Sequence, residues 1–101
     1  MSVEILGRLF EWDTDKALSN LKKHGVDFDD AAMVFGDPNR IEEFDALHSV
    51  DEDRYVTIGM VNTILFVVFT ERDDKTRLIS ARKATAREKR RYYDNPKVHQ
   101  I

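Results

Sequence analysis

Apolar and charged residues alternate over Arg8-Leu9-Phe10-Glu11-Trp12-Asp13, which predicts a short half-buried strand with Phe10 and Trp12 pointing the same way. Asp13 then suits a helix N-cap, because its carboxylate can accept from free backbone N–H groups of a first turn. Ala17, Leu18 and Leu21 follow at helical spacing, Lys22, Lys23 and His24 fall in the last turn, and Gly25 ends the helix. Asp27 predicts a second cap, with Phe28, Ala31, Ala32 and Phe35 on the buried side, and Gly36-Asp37-Pro38-Asn39 is a stop and a turn. Beyond it the period becomes that of strands. Arg40–Phe44 is a weak strand signal and Tyr55–Gly59 a better one. Ile64–Thr70 is almost wholly apolar, the pattern of a central strand buried on both faces. Asp73-Asp74-Lys75 reads as a turn into a strand over Thr76–Lys83. Thr85-Ala86-Arg87-Glu88 fits a capping box, so a last helix starts at Thr85 and fades near Asn95-Pro96.

The order is strand, two helices, a strand meander and a basic helix, with no repeat or linker. This predicts one α+β domain over 1–101, a small antiparallel sheet with its helices packed on one side, and a polar tail at 94–101. The Phe10/Trp12 strand is the expected free edge, open to pairing with a second copy or a partner's peptide.

Composition narrows the class. With 101 residues, 42% hydrophobic and 35% charged, the chain fits one globular core and not a disordered segment. Its 0 cysteines exclude a disulfide scaffold, a thiolate nucleophile and a cysteine zinc site. No apolar run approaches the roughly 20 residues of a membrane helix, and Met1–Gly7 lacks signal-peptide features, so a cytoplasmic protein without membrane contact is expected. The net charge of −3 hides a division: acids dominate up to Asp53, bases from Arg54 onward. Either the folded protein carries a polarised field suited to a polyanion, or the two signs interleave once folded.

Arg72, Arg77, Arg82 and Lys83, with Arg87, Lys89, Arg90 and Arg91 after them, form the main chemical feature. Guanidinium forks match phosphate oxygens and keep their charge at any working pH. Arg77 and Arg82, on a mostly buried strand, need a partner or an anion. The Arg87–Arg91 run reads first as a solvated helix face. Tyr92 and Tyr93 are candidates for stacking on an unpaired base. Among the histidines, His48 lies in a loop where sites concentrate. His24 sits at a helix C-terminus, where a cation is favoured without any further role. His99 falls in the tail. The acidic clusters Asp27/Asp29/Asp30 and Asp51/Glu52/Asp53 lack calcium-loop spacing and read as caps and surface. Leu21–Phe35 imitates a helix-turn-helix, but the first turn of its second helix carries Asp27, Asp29 and Asp30, which phosphates repel.

Phe10-Glu11-Trp12-Asp13, Lys16, Asn20, Lys23-His24-Gly25-Val26, Asp37-Pro38, His48-Ser49, Thr70-Glu71-Arg72 and Ile79-Ser80-Ala81-Arg82-Lys83-Ala84-Thr85 with Glu88 and Arg90 together resemble the BrnT family of toxins, from about Phe10 to Tyr93. The resemblance implies a RelE-like fold and an endoribonuclease of a type II toxin–antitoxin system. It also implies a cognate BrnA-like antitoxin with a ribbon-helix-helix region, so that DNA is reached only through that partner. RNA supplies its own nucleophile, the 2′-hydroxyl, and its cleavage needs a base, a cation and an acid but neither a metal nor a cofactor. The expected assignments are Arg77 and Arg82 on the phosphate, His48 or His24 for proton transfer, and Glu71 as an orienting carboxylate or alternative base. Arg72, Lys83, Arg54, Lys23, Tyr92 and Tyr93 are the expected RNA contacts. A homodimer inside the toxin–antitoxin complex, and an antitoxin covering Arg77 and Arg82, complete these expectations. The competing reading is a non-catalytic module that docks nucleic acid or an acidic protein.

Overall fold

A computed structural model describes residues 2–99. Strands β1 (Ser2–Ile5) and β2 (Arg8–Glu11) lead into helices α1 (Thr14–His24) and α2 (Phe28–Met33). Strands β3 (Ile41–Phe44), β4 (Tyr55–Val61), β5 (Thr63–Arg72) and β6 (Lys75–Lys83) follow, and helix α3 (Ala86–Asp94) comes last. The six strands form one sheet in the order β1-β2-β6-β5-β4-β3.

The local signals behave as their chemistry requires. Asp13 accepts from the Lys16 N–H and Asp27 from the Asp29 N–H, so each caps its helix. Gly25 ends α1 in the left-handed region at φ 70°. Thr85 and Glu88 close the capping box of α3 in both directions. Asp73 and Asp74 both take positive φ, 50° and 66°, which makes the tight turn between β5 and β6. Leu6 and Gly7 do the same, at 56° and 73°, between β1 and β2. Strand β1 has no strong sequence signal of its own, and that two-residue turn folds it onto β2.

The α+β class holds, with three corrections. The sheet is mixed: β2 runs parallel to β6 through Phe10↔Thr76 and Glu11↔Arg77, because two helices and three strands separate them in the chain. Strand β2 is internal, not a free edge, since β1 covers it on the other side. The helices also lie on both sides. Leu65, Val67 and Phe69 of β5 point to a first face, where Phe10, Trp12, Phe28, Ala31, Val34 and Phe35 complete the main core under α1 and α2. Ile64, Phe66 and Val68 point to the second face, where Val56, Ile58 and Tyr92 of α3 join them. A strand apolar on both sides must be covered twice, and α3 provides the second cover.

Helix α1 is rotated from its expected position. Leu18 and Leu21 are exposed at 61% and 42%, while Asn20 is buried at 7%. The Asn20 amide donates to the carbonyls of Ala81 (2.9 Å) and Val26 (3.0 Å) and accepts from the Ala81 N–H (3.1 Å). Beyond Arg77, β6 has no strand on its β2 side, so Asn20 takes the place of the missing neighbour. Asp37 does similar work at the far edge. One oxygen accepts from the Met60 N–H (2.9 Å), beyond the reach of β3, and from the Tyr92 hydroxyl (2.5 Å). Burial, reinforced by this bond, pushes the Tyr92 phenol well above its ordinary value.

Asn20→Ala strands three backbone groups at once and is expected to cost about 2–4 kcal/mol in urea denaturation. Leu18→Ala, on the exposed side of the same helix, is expected to change stability by less than about 0.5 kcal/mol. Equal effects would contradict the rotated helix.

Candidate active site

Strand pairing decides where the late arginines point. Arg77 lies opposite Thr70 and Arg82 opposite Phe66, so both stand on the second face of β6. Those partners are four positions apart on β5, which sets the backbones of the two arginines roughly 13 Å apart along the strand. Their side chains are held at different places, Arg77 by Glu11 of β2 and Arg82 by Glu88 of α3.

Each is held by a carboxylate of its own chain. Arg77 Nη1 is 3.3 Å from Glu11 Oε1. Arg82 grips Glu88 with both forks, at 2.8 and 3.0 Å, and its guanidinium lies over the Phe66 ring, 4.0 Å from the centroid. The Arg82 contact holds the Glu88 carboxyl below the usual range, and the Thr85 N–H lowers it further against the cost of burial. Arg72 is paired with Glu52 at 3.0 Å and Arg91 with Glu43. Three of these pairs, Glu11–Arg77, Glu43–Arg91 and Glu52–Arg72, join the acidic half of the chain to the basic half. For the strand arginines and Arg91 the charges interleave. On the outer face of α3 they do not: Arg87, Lys89 and Arg90 are exposed and, among the described residues, have no carboxylate within ion-pair distance.

Beside Arg82 the second face is concave. A depression of about 230 Å³ is lined by Glu43, Phe44, Asp45, Val56 and Phe66. Asp45 caps a single 3-10 turn at Ala46–His48 and accepts from the His48 backbone N–H. Its Oδ2 is also 2.8 Å from His48 Nδ1. The His48 ring is 62% exposed, and a second hollow, lined by Leu47, His48, Val50, Asp51, Glu52 and Arg54, begins there. Asp45 lines the first hollow and its partner His48 the second, with Arg82 over the Phe66 ring of the first and Arg54 in the wall of the second. A larger cleft of about 570 Å³ lies at the β4 edge among Leu6, Met33, Asp37, Met60 and Tyr92. No arginine lines it, and its Asp37 and Tyr92 are joined in a structural bond.

The remaining sequence candidates are dispersed. Glu71 lies opposite Thr76 on the first face, bonded to Arg8 (3.0 Å) and to the Thr76 hydroxyl. Lys83 is opposite Leu65 on that face, in a hollow with Gly25, Val26 and Asp30. His24 and Lys23 end α1. The structure therefore does not bring Glu71, His24, Lys23 or Lys83 to Arg77 and Arg82. The stacking expected of Tyr92 is corrected: its ring is 4% exposed, and its hydroxyl is taken by Asp37. Tyr93, at 49%, is open. Of the tail, residues 100 and 101 lie outside the described residues, and Pro96–His99 forms a 3-10 turn. Sequence reasoning missed Asp45, Glu11 and Glu88 as partners of site residues. Only the Asp45-x-x-His48 spacing carried a readable signal. No described helix is long and apolar enough to cross a membrane.

The model of a family described as "Ribonuclease toxin, BrnT, of type II toxin-antitoxin system" matches residues 12–88. Among solved structures, the chain is similar to the Brucella abortus ribonuclease toxin BrnT. The TM-score is 0.56 and the identity 27%, over 75% of this chain and 95% of that one. No curated protein matches.

Because the folded carboxyl of Glu88 is held low, its contribution to stability is complete above the ordinary carboxylate range and is lost as pH falls through the lowered value. Arg82→Gln is expected to raise Glu88 back toward the ordinary carboxylate range in an NMR titration and to flatten the acid limb of the stability curve. An unchanged Glu88 titration would contradict the pairing.

Proposed function

Because the chain belongs to the BrnT family of ribonuclease toxins of type II toxin–antitoxin systems, we propose that it cuts RNA without a metal, in the concave stretch between Arg82 and His48. The observations that support this are an imidazole held by Asp45, whose carboxylate lines the depression, and an arginine fork over the Phe66 ring that lines it too. With Nδ1 donating to Asp45, Nε2 of His48 is free to accept a proton. It takes the proton of a ribose 2′-hydroxyl, whose oxygen attacks the adjacent phosphorus. The P–O5′ bond breaks, solvent at this open surface protonates the departing 5′-oxygen, and a 2′,3′-cyclic phosphate remains. Arg82 holds the phosphate oxygens as charge develops on them. Arg82 keeps about a third of its side chain exposed, and a phosphate offers its fork the same paired oxygens that Glu88 does. Arg77, with Ser80 between it and Arg82 on the same face, receives a neighbouring phosphate, and Arg54 contacts the strand beyond His48.

An antitoxin, as the family requires, silences the toxin by covering this stretch. We assign that role to a BrnA-like partner whose segment competes with RNA for Arg82 and Arg77. Cytoplasmic RNA is the target.

His48→Ala and Arg82→Ala are each expected to lower cleavage of single-stranded RNA by about 100-fold or more while circular dichroism stays that of the wild type. Cutting by the wild type is expected to persist in EDTA. Expression is expected to arrest growth unless the antitoxin is co-expressed. Loss of cutting in EDTA, or a folded His48→Ala protein that still arrests growth, would overturn the assignment.

A further inference from the structure

We propose that the RNA strand leaving the cleft crosses the outer surface of α3 and seats one unpaired base against Tyr93, in the groove on the far side of that helix. This rests on the ribonuclease reading above and names a subsite outside the reacting centre.

At 100° per residue the side chains of α3 divide around its axis. Glu88 and Tyr92 face the sheet. Arg91 lies on the flank nearest the cleft, paired with Glu43 of β3. Arg87 and Arg90, one turn apart, face solvent. Lys89 and Tyr93, four apart, lie on the opposite flank, where they line a groove of about 140 Å³ with Met60, Asn62, Thr63 and Ile64. Arg87, Arg90 and Lys89, unpaired among the described residues, thus run as a band over α3 from the cleft side to the groove.

The groove suits a nucleobase. The exposed Tyr93 ring offers a stacking face, and Met60 and Ile64 form an apolar floor. Asn62 is exposed in the turn between β4 and β5, at φ 60°, and its amide carries a donor and an acceptor for a base edge. Lys89 is beside them for the attached phosphate. An acidic peptide would satisfy the cations but would leave the ring and the amide unused, so single-stranded RNA is the ligand the site fits best.

The probe is a short fluorescent single-stranded RNA with 2′-O-methyl riboses, which binds without being cut, titrated over a range of salt. Removing three phosphate contacts in Arg87→Gln/Lys89→Gln/Arg90→Gln is expected to make the log affinity–log salt slope shallower by about 2, at roughly 0.7 per contact. Tyr93→Ala is expected to weaken binding about tenfold at every salt concentration with the slope unchanged. Both variants are expected to melt with the wild type, since all four side chains are exposed. Wild-type slope and affinity in both variants would overturn the proposal. So would variants that keep RNA binding but lose the antitoxin, which would assign α3 to that partner. Cleavage of an unmodified RNA by the wild type, run in parallel, separates the two readings. If it cuts while the variants bind normally, only this subsite falls; if it neither cuts nor binds, the ribonuclease reading falls as well.

Discussion

Strand β5 is apolar on both faces, and most of the architecture follows from the need to cover it twice. The first cover is built from α1, α2 and the turn after them, over Leu65, Val67 and Phe69. The second is α3, whose Tyr92 reaches across Ile58 and Ile64 to Asp37. Helix α3 is short, so it shields only part of the second face. The part it leaves open is the concave stretch beside Arg82. The position of the candidate site is therefore a consequence of core formation: the helix that completes the core also forms one wall of the cleft, and its Glu88 holds the arginine at the rim.

Much of this was legible along the chain, and the reason is local chemistry. Asp13, Asp27 and Thr85 cap helices because nearby backbone N–H groups need acceptors, and that need is written within four residues. The two-sided burial of Ile64–Thr70 was equally visible, and it already required cover on both faces, which an arrangement with all helices on one side fails to supply. What stayed hidden depends on distant partners. Leu18 and Leu21 have the spacing of a buried stripe, yet the helix turns Asn20 inward because β6 has bare backbone groups at Ala81, sixty-one residues away. Strand β1 is fixed by its turn and by β2, not by its own pattern.

The site followed the same division. Arginines on β6 were readable as groups that must find a partner, but the partner's identity was not: Glu11 and Glu88 come from opposite ends of the chain. As a result the weight shifts between the two basic groups. The strand arginines are neutralised and positioned, the state expected of cations that each meet one phosphate of a bound strand. The helix cations Arg87, Lys89 and Arg90 have no carboxylate partner among the described residues, the state expected of groups that attract and guide a long polyanion. His48 gained its meaning from Asp45, three residues before it, through a turn too short to leave a helical signature. Tyr92 lost its proposed contact with RNA because its ring completes the second core.

The central claim is that the RNA itself provides the nucleophile and that His48 and Arg82 manage the charge. The most direct measurement is the chemistry of the cut ends, read by mass spectrometry after digestion of a defined single-stranded RNA in the presence of a chelator. The account predicts 2′,3′-cyclic phosphate on one fragment and 5′-hydroxyl on the other, and no cleavage where a single 2′-deoxyribose replaces the ribose before the scissile bond. Fragments carrying 5′-phosphate and 3′-hydroxyl, or undiminished cutting at the deoxyribose, would contradict it.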